Sequence, residues 1–162
     1  MKKKLFIAVV CLVLGTGAVY AEHPSGLGIG VEGGWSSWIG GGLTLKFPSV
    51  PIFWTVHAYA NPAGLGFELA GDKYLIDQDI ASILGWYLGI GAYAGLGVWD
   101  NLALWGGLRV PIGLSLRPID LLEIYLQVVP HLGVSILPEF FLPHGGWGTG
   151  WIGGSFGIRL WF

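Results

Sequence analysis

Few residues in this chain have both the type and the spacing to do chemistry. His131, Ser135 and Glu139 recur at every fourth position. On a strand that spacing puts all three on one side, and a serine, a histidine and a carboxylate are the parts of an acyl-transfer site. They fall in or beside a proline-rich stretch where alternation is hard to define, and an ordinary polar loop accounts for them. His57 and His144 have no further ligands at metal-binding spacing. Gly89-x-Gly91-x-x-x-Gly95 departs from the dinucleotide fingerprint, and no helix is expected after it. No catalytic, cofactor-binding or metal-binding residue is therefore assigned, and an enzyme is not expected.

The elements that would position such residues are more legible. Glycine is abundant at 29 of 162 residues, aromatics make 14% and charged residues only 11%, the reverse of a disordered composition. Mean hydropathy is +0.65, which suggests a membrane protein. Residues 1–21 read as a signal peptide: Lys2, Lys3 and Lys4, an apolar run from Leu5 to Gly17, and a small-residue site at Val19-Tyr20-Ala21. The single Cys11 lies in that run behind Val10, where a lipoprotein site needs a small residue. Cleavage would leave 22–162 without cysteine, and with five basic against ten acidic residues. No basic patch remains to bind nucleic acid.

From Gly26 onward the chain alternates with period two. Leu27, Ile29 and Val31 oppose Gly28, Gly30 and Glu32; Leu43 and Leu45 oppose Thr44 and Lys46; Trp54, Val56 and Ala58 oppose Phe53, Thr55, His57 and Tyr59. A fourth segment starts at Leu65 and becomes indistinct between Asp72 and Asp77. Residues 80–98 carry no charge and are long enough for a helix to cross a bilayer. Yet glycine and tyrosine hold the odd positions from Tyr87 to Gly97, and aliphatics the even ones from Leu88 to Val98. A helix has no reason to sort residues that way, whereas a strand with lipid on one side does. Leu104 to Arg117 and Leu122 to Val128 alternate likewise. A loop is expected over 33–40 and a longer one from about Pro130 to Gly150. The chain closes on Trp151 to Phe162.

In that last segment Phe156, Ile158, Leu160 and Phe162 share a face. It resembles the closing strand of bacterial outer-membrane β-barrels, where a terminal Phe and alternating apolar residues act as the assembly signal. The segments total eight, an even number that suits a barrel. The expected fold is all-β: an eight-stranded antiparallel up-and-down transmembrane β-barrel after the signal peptide. Turns after strands two, four and six would face the periplasm. Trp35, Trp38, Trp54, Trp86, Trp99, Trp151 and Trp161 would form interfacial girdles.

The polar face carries Glu32, Lys46, His57, Glu68, Arg109, Arg117, Glu123, Gln127 and Arg159. Charge against lipid at the midplane costs about 2–4 kcal/mol for Arg or Lys, so these belong in the lumen. A lipocalin-like soluble barrel would invert the pattern. Glu123 should lie near Arg117 and Arg159, and Arg109 near Gln127. The expected role is a structural or interaction barrel with a largely plugged lumen. The lumen glycines leave open residual cavities near strands one, five and eight, and hence a narrow channel for small solutes.

Over nearly the whole mature chain the sequence resembles small outer-membrane barrels of the OmpA-like or OmpW-like kind. The resemblance implies an outer-membrane location, lipid as surroundings, and insertion by the barrel-assembly machinery with help from periplasmic chaperones. OmpW-like barrels pass small hydrophobic compounds through a lateral opening, which gives the channel reading a porin-like form. Some outer-membrane barrels deacylate lipid A with a Ser, a His and a carboxylate, so a lipid-modifying enzyme stands as a further alternative. No peptidoglycan-binding domain is expected after Phe162. Phe140, Phe141, Leu142 and Trp147, in the 131–150 loop, would meet a surface partner, fold back over the rim or enter the outer leaflet.

Overall fold

The computed structural model describes residues 23–35, 39–61, 64–98, 101–137, 141–144 and 152–162. Ten strands run in chain order: β1 (Gly28–Trp35), β2 (Ile39–Lys46), β3 (Phe53–Asn61), β4 (Gly64–Ala81), β5 (Leu84–Val98), β6 (Leu102–Arg109), β7 (Ile112–Ile119), β8 (Leu122–Leu137), β9 (Phe141–His144) and β10 (Ile152–Trp161). Every pairing is antiparallel, and β1 to β6 pair in chain order. β1 also pairs with β10, from Gly28↔Trp161 to Trp35↔Gly154, which closes the ring. Just beyond that ladder, Leu27 and Phe162 exchange backbone hydrogen bonds of 2.9 and 2.8 Å.

β6 and β7 are the two halves of one stave. Both pair with β5 on one side and β8 on the other, and Pro111 interrupts them because it lacks an N–H. The ladder continues through the break: Gly89 donates to the Pro111 carbonyl at 2.8 Å, and Val110 to that of Pro130 at 3.0 Å. β9 branches off the ring and pairs only with β8. Eight staves therefore form the barrel. No helix among the described residues is long and apolar enough to span a bilayer, and 84–98 is strand β5.

Each stave presents an aliphatic or aromatic row outward. Val31, Leu43, Val56, Leu69, Ile90, Leu108, Leu126 and Phe156, one from each stave, are 46–59% exposed. Such a belt in water would be a very large apolar surface; in lipid it is the expected wall. The inward row is polar and buried, with Glu123 at 0% and Arg159 at 2% exposure. Aliphatics outward and ionised groups inward is the polarity of a transmembrane barrel.

Several expectations are corrected. The strands flanking the first loop run further than expected, pairing Gly33↔Gly41, Gly34↔Gly40 and Trp35↔Ile39, because glycine-rich strands still form ladders. β4 is 18 residues long and passes through the indistinct Asp72–Asp77 region to Ala81. A bulge between Tyr74 and Ile76 shifts its phase there, which hides the alternation. The long loop does not begin at Pro130. β8 continues to Leu137, with Leu132 and Ile136 outside and His131 and Ser135 inside, and β9 folds back onto it. Phe141 and Leu142 thus belong to a short strand, whereas Phe140 and Trp147 lie outside the described residues. Trp161 is not in a girdle; it points into the lumen with 4% exposure. Trp38, Trp99 and Trp151 lie outside the described residues.

Leu126→Arg places a charge on the lipid wall and should cost about 2–4 kcal/mol of folding free energy if Leu126 lies near the midplane. Denaturant unfolding of the barrel in bilayers checks this; Leu126→Ile should change stability little.

Candidate functional site

The lumen is the candidate site, and it is built in tiers. At the end carrying the short turns, the start of β1 and the end of β10, register sets Glu123 of β8 opposite Arg159 of β10. Arg159 Nη1 donates to Glu123 Oε2 at 2.9 Å, and Trp161 Nε1 donates to the same oxygen at 2.8 Å. Arg159 Nε reaches Thr44 Oγ1 at 3.2 Å. Its guanidinium lies over the Phe53 and Tyr125 rings, at 4.8 and 4.7 Å from their centroids. A buried cation is tolerable only with this degree of pairing.

In the middle tier, Glu32 binds both His57 and the Tyr125 hydroxyl through short hydrogen bonds. Arg109 Nε lies 3.1 Å from Asp72 Oδ1, close enough for an ion pair though poorly aligned as a hydrogen bond. Tyr87 donates to Gln127 at 3.1 Å, and Gln127 to Ser155 Oγ at 2.8 Å. Toward the loop end, Trp105 Nε1 donates to Glu68 Oε2 at 3.1 Å. Tyr59, Ala70, Tyr93 and Trp105 pack there as an apolar cluster. At the turn-end rim, Arg117 donates to Asp79 at 2.6 Å and Lys46 Nζ to the Phe47 carbonyl at 2.8 Å.

All nine residues expected in the lumen lie on the inner face, Arg117 half-buried at the rim and the others buried. Their pairing differs in part from expectation. Glu123 meets Arg159 as expected, but Arg109 takes Asp72 and Arg117 takes Asp79. Asp72 and Asp77 lie in the part of β4 where the sequence is indistinct, Asp77 and Asp79 lie beyond the bulge that shifts its parity, and His23 precedes the first strand. Six carboxyls (Glu32, Glu68, Asp72, Asp77, Asp79 and Glu123) thus face the four basic side chains Lys46, Arg109, Arg117 and Arg159, and the imidazoles of His23 and His57 also stand against carboxyls.

The glycine space is filled rather than open. A Cβ on Gly157 would lie 2.3 Å from the Tyr125 ring, on Gly113 2.3 Å from Tyr87, on Gly95 2.4 Å from Trp105, and on Gly66 2.1 Å from Tyr59. These glycines are seats for large side chains on the neighbouring stave. One small interior cavity of about 10 Å³ lies between Arg109, His131, Glu32 and Ser155, near the lower limit for one water. Among the described residues, neither ring nitrogen of His131 has a hydrogen-bond partner.

His131 and Ser135 both face the lumen. His131 packs edge-on against Tyr93 at 5.3 Å, and Ser135 Oγ donates weakly to the Leu104 carbonyl at 3.4 Å. Glu139 lies outside the described residues. No group of three or more His, Cys, Asp and Glu side chains suited to a metal occurs among the described residues.

The fold and its polarity define a small transmembrane β-barrel. The chain is similar in structure to Neisserial surface protein A (NspA), with a TM-score of 0.56 and 15% identity over 84% of this chain and 94% of that one. At that identity the likeness speaks to the fold. No protein-family model and no curated protein matches the sequence.

Arg159→Met leaves Glu123 buried beside Trp161 without its guanidinium. It should cost about 3–5 kcal/mol, and Glu123→Gln added to it should recover part of the loss. Denaturant unfolding of the two single variants and the double variant gives the coupling.

Proposed function

We propose that this protein is an integral barrel of the bacterial outer membrane whose lumen is a structural plug, and whose interactions are made at its loop-end surface. The carrying observation is the interior: ion pairs at the turn end and in the middle tier, and tyrosine and tryptophan rings seated over the lumen glycines. Such a filling resists water and solutes in an eight-staved barrel, which is only just wide enough for its own side chains. The aliphatic belt supports lipid as the surroundings, and the fold shared with a protein named for the neisserial surface supports the outer membrane.

On this reading residues 1–21 direct export and are removed, leaving 22–162 as the barrel domain. Periplasmic chaperones and the barrel-assembly machinery then receive the chain. The outward-facing Phe156, Ile158 and Leu160 on β10, with Phe162 just after it, support recognition of the closing strand, because they form one unbroken apolar row. Surface contact falls to the connection between β8 and β10, since the first part of the 131–150 stretch belongs to the barrel wall. No catalytic role is proposed.

Purified barrel in planar bilayers should show no stepwise conductance, and liposomes containing it should not swell in small sugars. Steady single-channel conductance would overturn the plug in favour of a narrow pore. Uptake of apolar solutes without ion conductance would favour the OmpW-like conduit. A change in lipid A on expression that His131→Ala abolishes would favour the enzyme.

A further inference from the structure

His23 precedes β1, yet its side chain is buried, at 4% exposure, inside the turn end of the barrel. Its backbone N–H donates to Asp77 Oδ2 at 2.7 Å, and ring atom Nδ1 meets the same carboxylate in a short hydrogen bond. The other ring nitrogen, Nε2, lies 2.7 Å from Glu123 Oε1. Two carboxylates thus bind the two ring nitrogens of one imidazole. Only an imidazolium can donate from both.

Aromatic rings complete the enclosure. Phe53, Tyr74 and Tyr87 meet the imidazole edge-on, with centroids at 5.3, 5.2 and 5.6 Å, and Trp161 stands tilted at 6.0 Å. Aromatic walls around a pair of acids are the features that bind organic cations. The site also has an approach. A cavity of about 560 Å³ opens beside it at the turn end, bordered by His23, Lys46, Phe53, Tyr74 and Asp77. Asp77 lies on the part of β4 that continues past its last pairing with β3, at Phe53↔Asp72, so that side is not walled by a neighbouring strand.

We propose that this enclosure is a receptor for a planar organic cation, occupied in the resting protein by the chain's own His23 as a tethered ligand. Pro24 to Leu27 form the tether, and Leu27 pairs with Phe162, so occupancy also pins the segment before β1 beside the closing strand. The bound cation ties β4 to β8 across the lumen. In the absence of His23, an imidazolium or guanidinium entering through the open cavity would take its place. The site shares Glu123 with the lumen filling: His23 takes one carboxylate oxygen and Arg159 the other, and Arg159, Tyr125 and Glu32 close the barrel above it.

Burial alone would lower the pKa of His23, but the charge of Glu123 and the hydrogen bonds that the ring donates to Asp77 and Glu123 outweigh it and raise it above the ordinary histidine value. A raised folded-state pKa contributes stability in full below the ordinary histidine range. That contribution is lost as pH rises through the folded-state value. The other ionisable groups bearing on the site are Tyr74 and Tyr87 at its walls, Lys46 at the cavity edge and Arg159 on the far oxygen of Glu123.

The test uses the processed protein in detergent, comparing wild type with His23→Ala. The readout is the temperature at which the folded, gel-mobile band is lost. His23→Ala should lower it by about 5 °C or more at pH 6. Millimolar imidazole should restore it at pH 6 but not at pH 9, where imidazole is neutral, and should not affect wild type. Glu123→Gln in the His23→Ala background should abolish the rescue. Equal imidazole effects on both proteins, or no rescue at pH 6, would overturn the receptor. If His23→Ala does not fold, ¹⁵N chemical shifts of wild-type His23 decide: both ring nitrogens protonated at pH 7 supports the site, and a neutral tautomer overturns it.

Discussion

A strand in hydrocarbon has no water to bond its exposed N–H and C=O groups, so a sheet there must close on itself. In this protein closure rests on β1 meeting β10, with Leu27 and Phe162 extending the seam by one more exchanged pair of hydrogen bonds. Everything else follows from that ring. It sends every second side chain to lipid and every other one into a narrow interior. Charged residues that would be costly on the outer face must then find partners on the inner one.

The interior solves this with a mixture of ion pairs and aromatic shields. Arg159 is the clearest case: it binds Glu123 and Thr44 and lies against the rings of Phe53 and Tyr125. The glycines complement those rings. In the narrow interior of an eight-staved barrel, a glycine on one stave accommodates the tyrosine or tryptophan of the next at several positions. Glycine content that looks like empty space in the sequence is thus the space that aromatics fill.

The prolines illustrate the same economy of backbone pairing. Pro111 splits one stave into β6 and β7 without opening the wall, because its carbonyl still accepts from Gly89 and the adjacent Val110 N–H finds the carbonyl of Pro130. Pro130 itself sits within β8 rather than ending it. Proline removes a donor but not an acceptor, and a strand survives where the neighbouring ladder can absorb that loss.

Period-two alternation was enough to determine the class, the eight staves and the inner face, because side-chain direction on a strand depends only on parity. It placed Glu32, His57, Arg109, Glu123 and Arg159 inside without any knowledge of contacts. It failed where parity slips or goes unread: at the Tyr74–Ile76 bulge, which concealed Asp77 and Asp79, and past Pro130, where composition resembled a loop. Partner choice was beyond it too. Which acid meets Arg109, and that His23 enters the barrel between Asp77 and Glu123, depends on strand stagger and on the path of the chain before β1. Those are distances between staves far apart in sequence, and only the closed ring sets them.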